Sequence, residues 1–421
     1  MPVPPESVPS DGASPGASTR LAARRGLATA IVLVGVVLVV VAGRAGLLGP
    51  SSRLLLLALA CAFGACAVIL TRAGGLALRL LSAAGALLAG MAVGVGVVNN
   101  YYDYYQSWSA LGTDLSADNG AGAGVAVVPI GMRGADGGVG PTASRGALGP
   151  GRLESISLPG PVSGVHGRQA LVWLPPQYDQ RRYAATRFPV LMLVHGEPGK
   201  PQNWTTGLGL PEVLNQQYAS GTSNPMVVVM PEVAGQFPRQ QCLDATQGGP
   251  RLDTYLGTDV PRDIASQLRV SPPGRHWAVG GLSAGGFCAA RLALRYPRTF
   301  GAAAVMDGYF HPDLNQLARR QLFGSGPVPA TADPTTLLAR FPAGRPLPAF
   351  WIMGGTGNAS DYRNAITFAT SVGEREDLRF LTVIGGRHTA PAWRRSLPDL
   401  LRWAGAVVNG RPAFGQTALP L

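Results

Sequence analysis

Ser283 sits in Gly281-Leu282-Ser283-Ala284-Gly285, and the segments on either side of this G-x-S-x-G pentapeptide restrict the folds open to the chain more than any other feature. Trp277-Ala278-Val279-Gly280-Gly281 reads as a buried strand running into a tight turn. Phe287–Tyr296 reads as an amphipathic helix stopped near Pro297. A strand, a glycine-flanked serine and then a helix is the context of a nucleophile elbow, in which small neighbours let the turn close sharply and expose the hydroxyl above a sheet. The same pentapeptide also arises by chance in a chain with 57 glycines, so the flanking pattern carries the reading.

Folds that use such a turn place an acid and then a histidine further along the chain, each at a strand end. Two histidines follow Ser283, His311 and His388. His388 comes after the apolar strand Leu378–Ile384 and the turn Gly385-Gly386-Arg387, and before a helix predicted from about Ala392 to Val408. That is the position of a general base on a strand-end loop. His311, in Tyr309-Phe310-His311-Pro312, reads as a surface-loop residue. Asp361 is the first carboxylate on the exit from the strand Ala349–Met353 and is the expected acid; capping of a helix beginning at Tyr362 is its bland alternative. Asp307, directly after the strand Ala302–Met306, is the alternative acid.

An oxyanion hole needs backbone N–H groups aimed at the developing charge. One donor is expected from Ala284, after the serine and at a helix N-terminus. The other is expected from Glu197, in His195-Gly196-Glu197-Pro198-Gly199 after the strand Phe188–Val194. His195 reads as a residue that shapes this loop, not as a second base. Together these pieces specify acyl transfer from an ester-like carbonyl through an acyl-serine.

Several segments resemble the esterase D group of serine α/β-hydrolases, which includes the cell-envelope mycolyltransferases. They are Val172–Tyr178, Phe188–Gly196, Val227–Pro231, the run Ala278–Phe300, Gly385-Gly386-Arg387-His388 and Trp393-Arg394. The resemblance covers about residues 165 to 408 and implies an α/β-hydrolase fold of the eight-stranded type with serine esterase or acyltransferase chemistry. Two departures stand out: Asn358 occupies roughly the place where many relatives carry their aspartate, and Arg387 interrupts the usual Gly-Gly-His. A fold-level resemblance does not choose a substrate.

The N-terminal quarter differs in composition. Residues 1–25 read as a disordered cytoplasmic terminus. Apolar stretches at Gly26–Gly43, Leu54–Leu70 and Leu76–Val98 approach the ~20 residues of a membrane-crossing helix, which predicts a three-helix anchor over 26–98. Arg20, Arg24 and Arg25 precede the first stretch, and Arg72 and Arg79 lie between the second and third, against Arg44 and Arg53 on the other side. The positive-inside rule then puts the N-terminus in the cytoplasm and the remainder of the chain outside. Residues 99–160 read as a juxtamembrane segment, with Tyr101-Tyr102-Asp103-Tyr104-Tyr105 at the interface, followed by a Gly/Ala-rich linker. Residues 161–410 form the predicted catalytic domain and 411–421 a C-terminal tail.

Cys61 and Cys66 read as apolar fillers in the second stretch, whereas Cys242 and Cys288 could form a disulfide in an extracytoplasmic setting. The formal net charge of +12 comes from scattered arginines with a single lysine, Lys200. It argues for the coding bias of a GC-rich genome and against nucleic-acid binding. No P-loop, dinucleotide fingerprint or metal constellation is evident, so no cofactor is expected. The expected partners are an ester or acyl donor, lipidic or envelope-linked, and the membrane. A non-catalytic binding protein on the same scaffold is the alternative from another class.

Overall fold

A computed structural model describes residues 61, 64, 75–102, 150–233, 241–246, 248–373, 378–411 and 415–420. The chain divides into two compact units, Met1–Ser109 and Ala110–Leu421. In the first unit, helix α1 (Leu76–Tyr102) takes in the third apolar stretch. Its Leu76, Leu80, Leu87, Leu88 and Met91 are all more than half exposed. Apart from Cys61 and Gly64, the first two stretches, the arginines that precede and separate them, and most of the linker lie outside the described residues. Among the described residues no helix is long and apolar enough to cross a membrane, so these residues do not support the three-helix anchor.

The second unit is built on one nine-stranded sheet. Its elements in chain order begin with β1 (Arg152–Leu158), β2 (Arg168–Leu174), β3 (Val190–Val194), α2 (Leu210–Ala219) and β4 (Val227–Pro231). Next come α3 (Val260–Gln267), β5 (Gly274–Leu282), α4 (Ala284–Arg295), β6 (Phe300–Met306), α5 (Gln316–Phe323) and α6 (Pro334–Ala339). The chain closes with β7 (Ala349–Gly355), α7 (Ala359–Gly373), β8 (Leu378–Ile384), α8 (Ala390–Val407) and β9 (Gly415–Pro420). The strand order is β1-β2-β4-β3-β5-β6-β7-β8-β9. β1–β2 and β2–β4 pair antiparallel, and every other pair is parallel.

The central strands are continuous apolar runs because helices cover both faces of a parallel sheet. All five residues of β3 and of β4, and all seven of β7, are buried. Trp173, Trp204, Trp277, Trp351, Trp393, Phe188, Phe287, Phe300 and Phe350 fill the space between sheet and helices. The predicted boundaries need correction at both ends. The sheet starts at Arg152 within the predicted linker, and the predicted tail supplies β9 alongside β8, giving nine strands where eight were expected.

Register decides what meets at the sheet's C-terminal edge. Val194 pairs with Gly281, Leu282 with Met306, and Met306 with Met353. The residues that follow β3, β5, β6 and β7 therefore emerge side by side. Since β4 and β5 flank β3 on opposite sides, this edge is also where the winding direction reverses, the usual location of a site in such sheets.

Candidate active site

Ser283 is the hinge between β5 and α4, with φ 55° and ψ −120°. A non-glycine residue in that region is strained and persists only when its surroundings fix it. They do so here. Ser283 N–H donates to Met306 O at 3.0 Å, and Ser283 O accepts from Gly286 N–H at 2.9 Å. A Cβ on Gly281 would collide with the Gly285 carbonyl, and one on Gly285 with the carbonyls of Val194 and His195, so only glycine allows the turn to close against β3.

His388 sits between β8 and α8, and its Nε2 lies 2.8 Å from Ser283 Oγ. Two carboxylates face its other nitrogen. Asp307 Oδ2 is 3.1 Å from Nδ1, and Asp361 Oδ2 is 4.0 Å away. The expected acid, Asp361, is thus brought to the cluster but not into hydrogen-bond contact with the imidazole, whereas the alternative, Asp307, makes that contact. The reason is positional. Asp307 is the first residue beyond β6, turned by a φ of 52° and held by its N–H to Met353 O at 3.2 Å, directly beside Ser283. Asp361 already lies in the first turn of α7, where Asn358 Nδ2 donates to its Oδ2 at 2.5 Å. The helix is capped by Asn358, whose Oδ1 accepts from Ser360 N–H at 3.2 Å, so the capping role considered for Asp361 falls to its neighbour.

Burial alone would lower the pKa of His388, but the Asp307 hydrogen bond and charge, with a further contribution from Asp361, raise it above the usual histidine value. Burial, together with the Asp307 charge, raises that of Asp361, against the pull of His388. Atoms of Asp307, Asp361 and His388 lie within 4.8 Å of one another, close enough to chelate a cation. With Nε2 accepting from the serine hydroxyl, however, Nδ1 carries the proton and offers no lone pair to a metal.

Ala284 is the first residue of α4, so its N–H has no carbonyl within the helix to bond. The loop after β3 lies against the elbow: a Cβ on Gly196 would stand 3.3 Å from Ser283 Cβ. Glu197 follows on that loop. His195 is buried there, its Nδ1 2.8 Å from Gly196 O and its Nε2 accepting Val233 N–H at 3.2 Å. Burial outweighs the Gly196 bond and holds its pKa down to about 4, so it is a neutral, fully engaged loop residue. His311 is exposed and pairs with Asp333 at 2.6 Å, away from the serine cluster.

Residues 166–404 match the family described as "Putative esterase". The chain belongs to that family. An uncharacterized protein of Corynebacterium glutamicum is 27% identical over 266 residues, 60% of this chain and 61% of that one. The MPT51 antigen of Mycobacterium leprae is 35% identical over 82 residues, 18% of this chain and 27% of that protein. This chain therefore spans under two thirds of either relative's length. Among solved structures, the fluorophosphonate-binding serine hydrolase F of Staphylococcus aureus shares the fold at TM-score 0.51 and 19% identity, covering 61% of this chain and 99% of that one. A ferulic acid esterase does so at TM-score 0.50 and 18% identity, covering 61% and 98%.

One feature of this site was not read from the sequence. Trp393 Nε1–H donates to Asp307 Oδ2 at 3.2 Å, and its ring meets that of His388 edge to face at 5.2 Å. The sequence signal was its place five residues beyond His388. Cys242 and Cys288, left open as a pair, are joined in a disulfide that ties α4 to the 241–246 segment.

Proposed function

We propose that this esterase hydrolyses or transfers carboxylic acyl groups through a triad of Ser283, His388 and Asp307. The observation that carries the reading is the imidazole held between the serine, 2.8 Å from Nε2, and the carboxylate, 3.1 Å from Nδ1. Ser283 Oγ attacks the acyl carbonyl as Nε2 takes its proton. Asp307 fixes the tautomer and stabilises the imidazolium that forms. The N–H groups of Ala284 and Glu197 hold the oxyanion. The imidazolium then returns the proton to the departing alcohol, and water or another hydroxyl resolves the acyl-serine. The test is labelling of purified protein by a fluorophosphonate probe, together with hydrolysis of short p-nitrophenyl esters. Labelling that persists undiminished in Ser283→Ala, or wild type that neither labels nor turns over, rules the triad out and favours a binding protein on the same scaffold.

The finer part of the proposal is that the catalytic unit stands outside the cytoplasmic membrane on an N-terminal anchor and acts on lipidic or envelope-linked esters. Two features support it: the apolar stretches of sequence at 26–43, 54–70 and 76–98, and the Cys242–Cys288 disulfide, a bond characteristic of oxidising compartments. Reporter fusions after Val98 test it. An enzymatic reporter active only in the cytoplasm at that point overturns the orientation.

A further inference from the structure

Two carboxylates compete for one imidazole nitrogen, and charge alone does not explain why Asp307 wins. Both face Nδ1 of His388, with oxygens 3.1 and 4.0 Å away. They differ in surroundings. The Asp307 side chain is 4% exposed and that of Asp361 is 36% exposed. A buried carboxylate is costly unless donors satisfy it. The second donor to Asp307 is the indole of Trp393, whose Nε1–H reaches the same Oδ2 that faces His388.

Trp393 is suited to this by rigidity and by charge. It is fully buried on the helix that begins two residues after His388, and its backbone N–H is anchored to Thr389 O at 3.2 Å. The base and the donor that holds the acid thus move as one piece. The indole is also neutral. A cationic donor in its place would pair with the carboxylate and weaken the attraction that stabilises the imidazolium. The molecule contains the contrasting case. Asp399 likewise accepts from a tryptophan, Trp351 Nε1 at 2.9 Å, but it also pairs with Arg379 at 2.7 Å and lies 3.7 Å from Arg402, which makes it a structural ion pair. Among the described residues no arginine or lysine pairs with Asp307. The contact is not forced by the needs of a buried indole either, since Trp173 and Trp204 keep their N–H groups buried with no partner among the described residues.

We propose that Trp393 is a positioning residue whose indole N–H aims Asp307 at His388 and so selects Asp307, not Asp361, as the acid. This rests on the triad reading above. Once that hydrogen bond is removed, Asp307 loses its alignment and His388 comes to depend on Asp361.

The test keeps the ring and removes only the N–H, by incorporating 3-benzothienylalanine at position 393 in the full chain; Trp393→Phe is the companion variant. Loss of one hydrogen bond to a charged group should lower kcat for p-nitrophenyl acetate roughly tenfold while KM stays within about twofold. Asp361→Asn should cost a few-fold at most when Trp393 is intact, and roughly tenfold when the indole N–H is gone. A merely structural tryptophan would not produce that dependence on Asp361. Unchanged kcat in the isosteric analogue, or the same Asp361→Asn factor in both backgrounds, overturns the proposal. Wild type that neither hydrolyses esters nor reacts with a fluorophosphonate overturns the triad itself, and the role of Trp393 with it.

Discussion

Asp307 Oδ2 lies 3.1 Å from His388 Nδ1, on the side of the ring opposite the 2.8 Å contact between Nε2 and Ser283 Oγ. The carboxylate comes from the end of β6, one strand before the expected acid. Asp307→Asn should therefore lower kcat by about 10³- to 10⁴-fold, the scale seen when a triad loses its tautomer-fixing carboxylate. Asp361→Asn should cost a few-fold at most. Steady-state ester hydrolysis on both variants decides the matter, and the reverse ranking would restore Asp361 as the acid.

The acid limb of the pH profile should lie above the ordinary histidine value. Burial opposes protonation of His388, but the hydrogen bond and charge of Asp307, with the charge of Asp361, outweigh it and raise the pKa above 6.5. Only the neutral imidazole accepts the serine proton, so kcat/KM falls as pH drops through that raised value. Asp361→Asn removes one of the raising charges and should move the limb to lower pH. An upward movement, measured across a pH series at saturating and limiting ester, would contradict this electrostatic account.

The Cys242–Cys288 bond closes a loop of sequence separation 46 and anchors the helix that begins at the nucleophile. In the chain-entropy picture such a crosslink contributes about 4 kcal/mol. Replacing both cysteines by serine should lower the urea midpoint accordingly, and reductant should have the same effect on wild type. Equal midpoints for the oxidised and reduced protein would show that the bond contributes nothing to folding.

Asp253 is 1% exposed and receives Arg291, itself 4% exposed, at 2.5 Å and Arg295 at 2.6 Å. Arg291 also donates to Cys242 O at 3.2 Å and Thr331 O at 2.9 Å. Asp253→Asn leaves a buried guanidinium without its counter-charge and should destabilise the fold by about 3–5 kcal/mol. Esterase activity per folded molecule, counted by fluorophosphonate titration, should change little, because none of these groups touches the triad. A stable variant with impaired turnover would assign the cluster a catalytic part instead.

The local pieces were legible in the sequence. The strand before Ser283, the helix after it and the strand–turn–helix around His388 each follow from a few neighbouring residues, and each element appears close to its expected span. Even Asp307 was visible as a candidate. Less legible were β1 and β9, one written into a segment that reads as linker and the other into a segment that reads as tail.

What the sequence determined by itself was the chemistry on offer: a serine on a sharp turn, a histidine on a strand-end loop, two aspartates in reach, and an apolar N-terminal quarter. Which aspartate meets the imidazole, which tryptophan steadies it and which cysteines join were decided by the tertiary structure alone. These partners are 81, 86 and 46 residues apart in the chain. They meet because strand register and helix packing bring β6, β8 and α4 to a common edge, and periodicity within a segment carries no information about register between segments.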